Sequence, residues 1–149
     1  MDQELLDLPP LVDGDLELHV AERTGADPAR NRVPAYRFDL RVRGEHAGNL
    51  SLRVGHGEYL EKYAGHIGYG VDAEFRGHHY AARATRLLFD IARRHGMRTL
   101  WITCNPENVA SRRTCELVGG ELIEIVDLPP DIDMYQEGER QKCRYRIRL

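Results

Sequence analysis

A turn of small and basic residues, Arg76-Gly77-His78-His79-Tyr80-Ala81, lies between an apolar strand, His66 to Val71, and a long amphipathic helix. A helix beginning there aims its unpaired N–H groups, and the positive end of its dipole, at the turn. Strand, small-residue turn and helix N-terminus make an anion site, and phosphate is the usual anion. The same Gly and Ala also suit a turn whose only demand is backbone geometry, and on these residues alone both readings stand. His78 and His79 are adjacent, so their side chains diverge, and nothing nearby completes a metal site. Further on, Asn105-Pro106 stops a strand, while Asn108 and Ser111 are ordinary helix-start residue types.

The elements that must hold these residues follow from periodicity. Leu16 to Val20 alternates strictly and predicts a half-buried strand, and residues 25–34 read as a loop. Tyr36 to Val42 and Leu50 to Val54 are strands joined by the hairpin connection Arg43 to Gly48, and a polar interval, 55–65, precedes the central strand. Tyr80 to His95 is a helix with Ala81, Ala84, Leu88, Ile91 and Ala92 on one stripe, closed by Gly96. Leu100 to Cys104 reads as a strand, parallel to the central one because a helix intervenes. A second helix reaches Val118 before Gly119-Gly120, and Glu121 to Val126 and Lys142 to Leu149 are the last strands.

A length of 149 residues suits one domain over 1–149, with room for a real core. No run approaches the roughly 18 apolar residues of a membrane span. The acidic start Met1-Asp2-Gln3-Glu4 lacks a signal peptide's basic region, so the cytoplasm is the expected location and no membrane partner is expected. Cys104, Cys115 and Cys143 form no metal-type or redox-type pair and read as reduced and buried. The net charge of −3 conceals an asymmetry. Residues 1–18 carry only acids (Asp2, Glu4, Asp7, Asp13, Asp15, Glu17), whereas Arg76, Arg83, Arg86, Arg93, Arg94, Arg98, Arg112 and Arg113 crowd the middle. Such a basic face either collects phosphates or is a solvated helix surface, and no nucleic-acid motif accompanies it.

The order Arg76-Gly77-x-x-x-Ala81 after a strand, a helix closed by Gly96, a strand, Asn108-x-x-Ser111 and Gly119-Gly120 resembles the GNAT superfamily of acyl-CoA-dependent N-acetyltransferases over about residues 36–149. The resemblance implies an α/β (α+β) fold with a mixed central sheet of six to seven strands flanked by helices. The N-terminal helices are reduced, since the two expected ones have little room between Glu22 and Tyr36. It implies acetyl-CoA as co-substrate, with no metal, and an amine acceptor: a small molecule, a protein N-terminus or a lysine. A homodimer is compatible with it. Residues 76–81 (Arg76, Gly77, His78, His79, Tyr80, Ala81) then wrap the pyrophosphate, and His79 departs from the family's usual second Gly. Arg83 and Arg112 are second phosphate candidates, each also readable as surface.

By the same resemblance, the edge of Tyr69, Gly70 and Val71 pairs with the pantetheine amides, Val71 N–H donates to the oxyanion, and Asn108 and Ser111 contact the pantetheine arm. His66 stands where relatives carry a Glu or His base, and its ordinary pKa of about 6.5 suits that work. A strand histidine satisfied by a neighbour is the competing reading, with Glu58 and Glu61 as other bases. The Tyr that many relatives place seven residues after the motif Asn is here Cys115: nucleophile, acid or core. Tyr135 and Tyr145 are candidates to replace it. Acids at Asp131, Asp133, Glu137 and Glu139 suit a cationic acceptor. The reading from another class is a coenzyme-binding or regulatory protein of this fold that transfers nothing.

Overall fold

A computed structural model describes residues 4–149, so Met1, Asp2 and Gln3 of the acidic start lie outside the described residues. The alternating segments near the N-terminus form an antiparallel meander: β1 (Leu11–Asp13), β2 (Leu16–Thr24), β3 (Ala35–Val42), β4 (Glu45–Arg53) and β5 (Ile67–Val71), side by side in that order. Tyr36, Phe38, Leu40 and Val42 of β3 point inward between polar neighbours, as do Leu16 and Leu18 of β2 and Leu50 and Leu52 of β4. Each such leucine contributes about 1.5–3 kcal/mol by leaving water.

The helix α1 (Tyr80–Arg94) covers that inner face, lying against β1, β2, β4 and β5. Its buried stripe holds Ala82, Ala84, Thr85, Leu88, Ile91 and Ala92, whereas Ala81, which the periodicity places there, is half-buried. It ends as the sequence predicts: Gly96 takes φ +80°, and Met97 N–H returns to Ala92 O at 3.1 Å, a glycine-type C-cap. Beyond lie β6 (Thr99–Cys104), α2 (Val109–Leu117), β7 (Glu121–Asp127), a short α3 (Asp133–Gln136) and β8 (Gln141–Arg148). Here β8 pairs antiparallel with both β6 and β7.

Four details differ from the sequence expectations. Eight strands are present, in a five-stranded and a three-stranded sheet. The polar interval 55–65 contains a π-helical turn, Tyr59–Ala64, whose buried Leu60 and Tyr63 anchor it. The hairpin connection shrinks to Arg43 and Gly44, because β4 begins at Glu45. And β6 lies beside β5 without a ladder between them. Between β2 and β3 the described residues form a 3-10 turn, Pro28–Arg30, in the stretch that has little room for the two helices of the family pattern.

Sequence-distant charges meet in this fold. Arg83 Nε of α1 donates to Asp13 Oδ2 at 2.9 Å and its Nη2 to Asp15 Oδ1 at 3.1 Å, while Arg43 also pairs with Asp15. The acidic start and basic middle are thus partly spent on each other.

Candidate active site

Among the described residues, the main chains of β5 and β6 hydrogen-bond at one end. His66 N–H donates to Trp101 O at 2.7 Å, and Trp101 N–H donates to His66 Nδ1 at 2.9 Å. Gly65 permits this approach, since a Cβ there would lie 3.1 Å from Thr103 N and Trp101 O. Past this pin the strands form a wedge. The β4–β5 ladder is flanked by Arg53 N–H to His66 O (2.7 Å) and Asp72 N–H to Ala47 O (2.8 Å). Bonding alternates along an antiparallel strand, so the His66 carbonyl and residues 68, 70 and 72 face β4, and the main-chain groups of Ile67, Tyr69 and Val71 face the wedge. Val71 O accepts from Arg76 Nε at 2.9 Å, in keeping with that alternation.

A slot of about 280 Å³ opens in the wedge, lined by Gly68, Tyr69, Cys104, Asn108 and Ser111 among others. It adjoins a wider cleft of about 1110 Å³ between the 25–35 segment, the π-helical turn and residues 131–134. Arg53, Ala64 and Met134 line both, so they mark the junction.

At the other end of β5 the chain reaches α1 through Gly77 at φ +87° and His79 at φ +61°. His79, the N-cap, thus adopts the left-handed conformation that glycine would take, a region His visits more readily than most residues. It caps without a side-chain hydrogen bond, and the first helical bond is Arg83 N–H to His79 O at 3.0 Å, which leaves the N–H groups of Tyr80, Ala81 and Ala82 as the helix's orphan donors. The Tyr80 ring is buried against His78, centroids 5.3 Å apart, so only its backbone faces the turn. Arg83 is held by Asp13 and Asp15, and Arg112 donates to Tyr145 Oη at 3.1 Å. Both have structural partners in place of an open phosphate-facing position.

His66 is fully buried. Its Nδ1 accepts from Trp101, and its Nε2 donates to Gly55 O at 3.1 Å. Burial lowers its pKa, keeping it neutral, and both ring nitrogens are engaged in the bonding of a strut. Asn108 Oδ1 accepts from Ser111 N–H at 3.1 Å, the cap arrangement, while Asn108 also lines the slot.

The Tyr69 hydroxyl meets Ser111 Oγ at 2.7 Å and lies 3.8 Å from Cys115 Sγ. Burial raises the Tyr69 pKa, so the phenol stays protonated. Cys115 is buried and its pKa is raised, first by its hydrogen bond to Cys104 and then by desolvation. The thiol that reaches the slot is Cys104, lowered by that same bond. Tyr145 is buried with Arg112, and Tyr135 packs under Arg140 at 3.8 Å, so neither phenol joins Cys115.

Sequence reasoning missed Arg53 and Cys104 as lining residues. Arg53 reads there as the solvent face of a strand, and Cys104 as core.

A family model described as an acetyltransferase (GNAT) domain matches residues 13–121. The chain belongs to the GNAT acetyltransferases. No curated protein sequence matches it. Among solved structures, the GNAT fold here is similar to the ribosomal alpha-N-protein acetyltransferase RimL in complex with coenzyme A, at 16% identity and TM-score 0.70 over 95% of this chain and 98% of that one. Mycobacterium smegmatis RimJ with a CoA-disulfide matches at 24% identity and TM-score 0.61, over 77% of this chain and 53% of RimJ. The microcin C7 self-immunity acetyltransferase MccE, with acetyl-CoA and AMP, matches at 18% identity and TM-score 0.62, over 77% of this chain and 61% of MccE. These likenesses show the shared fold. Among the described residues no cluster of His, Cys, Asp or Glu has the geometry of a metal site, and no helix is long and apolar enough to cross a membrane.

Proposed function

We propose that the protein transfers an acetyl group from acetyl-CoA to a primary amine by direct attack. The observation that carries this reading is the unpaired edge of β5 facing a slot that runs into a second, wider cleft. The pantetheine arm would pair with the main chain of Tyr69 and Val71, and the pyrophosphate would sit over residues 76–81 at the start of α1. The amine enters through the cleft, and its proton leaves to water there, beside Asp131 and Asp133. Its lone pair adds to the thioester carbon, Val71 N–H holds the oxygen as charge develops, and the nitrogen gives up its second proton to water in the cleft as the carbonyl re-forms. The carbon–sulfur bond then breaks. The departing thiolate accepts a hydrogen bond from the Tyr69 hydroxyl and takes its proton from solvent.

Three reduced, buried cysteines suit a reducing compartment, and we place the reaction in the cytoplasm. A second reading, coenzyme binding without transfer, is favoured by the engagement of both His66 nitrogens. Incubation with acetyl-CoA and a panel of amines, following free thiol, tests both: amine-dependent thiol release supports transfer, and tight binding without release across the panel supports the second reading.

A further inference from the structure

Arg53 is the half-buried guanidinium at the junction of slot and cleft. Its Nη1 donates to Gly65 O at 3.0 Å and Ala64 O at 3.4 Å. Among the described residues no carboxylate lies within ion-pair distance, and Nη2 and Nε have no protein acceptor. Burial disfavours the charge, yet a guanidinium does not deprotonate in proteins, so it remains a cation without a counter-charge. Its position is fixed. Nη1 is tied to the end of the π-helical turn, and the fork lies over Gly68 of β5, where a Cβ would come within 3.4 Å of Nη2.

A planar cation with a free edge beside a cavity suits a carboxylate, which it binds through two parallel hydrogen bonds. Of the cleft's other charges, Arg30 pairs with Asp27 at 3.6 Å, Arg32 lies on the exposed 25–35 segment, and Asp131 and Asp133 would repel an anion, so at the junction with the slot Arg53 is the cation that meets it. The junction is also where an amine must stand to reach a thioester in the slot. An anion bound there lies within a few bonds of the nucleophile.

We propose that the acceptor bears a carboxylate two or three bonds from its amine, as an α-amino acid does, and that Arg53 at the junction of the two cavities binds that carboxylate. This rests on the acetyl-transfer reading above. Interactions of this charged kind separate matched ligands by about ten- to a hundredfold.

The test compares L-amino acids with their amides, at equal concentrations of unprotonated amine, as acceptors for acetyl-CoA. In the wild type kcat/KM for the acids is expected to exceed that for the amides at least tenfold. At saturating acetyl-CoA, Arg53→Met should erase the difference between acids and amides, and Arg53→Lys should restore part of it. Equal use of acids and amides by the wild type overturns the proposal, needs no variant, and leaves acetyl transfer standing. Should no amine be acetylated, calorimetry of glycine against glycinamide on the protein saturated with coenzyme A decides: selective glycine binding retains the Arg53 site while transfer fails, and no selectivity overturns both.

Discussion

The hydroxyl of Tyr69, on β5, lies 3.8 Å from the sulfur of Cys115, on α2, and both stand beside the slot's Ser111. A phenol offered from the strand therefore lies beside Cys115, the position at which the family resemblance leads one to expect a tyrosine. Tyr69→Phe is expected to lower kcat by about 10²-fold with little change in acetyl-CoA affinity, measured by steady-state kinetics and calorimetry. Cys115→Ala should keep kcat within about threefold and cost stability through a small cavity. An acetyl adduct on Cys115, found by mass spectrometry with acetyl-CoA alone, would contradict direct attack.

Stability should depend on His66. Its folded pKa is lowered by burial, so the unfolded chain binds the proton more readily, and stability is full above about pH 6.5. It declines as pH falls from there toward the folded value, by up to about 1.4 kcal/mol per unit. Asp15, lowered by its hydrogen bond from Arg83, acts only further into acid. Thermal melts between pH 7.5 and 5 should show the decline, and His66→Ala should melt lower throughout but with a shallower slope over this window. Parallel slopes would remove His66 from the account.

At the head of α1, His79 holds a conformation that suits glycine. His79→Gly is expected to stabilise the fold by about 0.5–1 kcal/mol, and His79→Val to destabilise it by about 1–2 kcal/mol. Denaturant titration reads both. Acetyl-CoA affinity should survive His79→Gly and fall at least about tenfold in Ala81→Asp, which sets a carboxylate beside the phosphates. Unchanged affinity in a folded Ala81→Asp protein would move the pyrophosphate elsewhere.

Gly48 on β4 tests the wall of the slot from behind. A Cβ there would come within 2.1 Å of Gly70 O, on the backbone of β5. Gly48→Ala should cost about 3 kcal/mol or more, and should weaken acetyl-CoA binding in whatever fraction stays folded, because β5 must shift. Chemical denaturation and calorimetry check the two halves.

Strands and helices were legible wherever one face alone is buried, as in Tyr36 to Val42 or along α1. The turn before α1 was legible as a turn, because Gly77 interrupts the apolar strand just before the amphipathic run begins. Less could be read where a single residue departs from a pattern. His79 stands in glycine's place, and only the backbone angle reveals that it behaves like one. Arg53 looks like any charged residue on the polar side of a strand, until the π-helical turn folds over it. The phenol near Cys115 was sought at Tyr135 or Tyr145, since sequence distance says nothing of which ring reaches across a wedge. For His66 the sequence leaves a base and a strand histidine satisfied by a neighbour both open, because its two hydrogen-bond partners, Gly55 and Trp101, lie 11 and 35 residues away.

The pin between His66 and Trp101 has a mechanical meaning. Joined at that end and open at the other, the two sheets resemble an unfinished seam, and any guest that bonds to the odd-numbered amides of β5 lies where the next row of stitching would be. The substrate is then also a fastener. Exchange of the Tyr69 and Val71 amide hydrogens should slow most when coenzyme A is present, and the protein's resistance to unfolding should follow the supply of its own reactant.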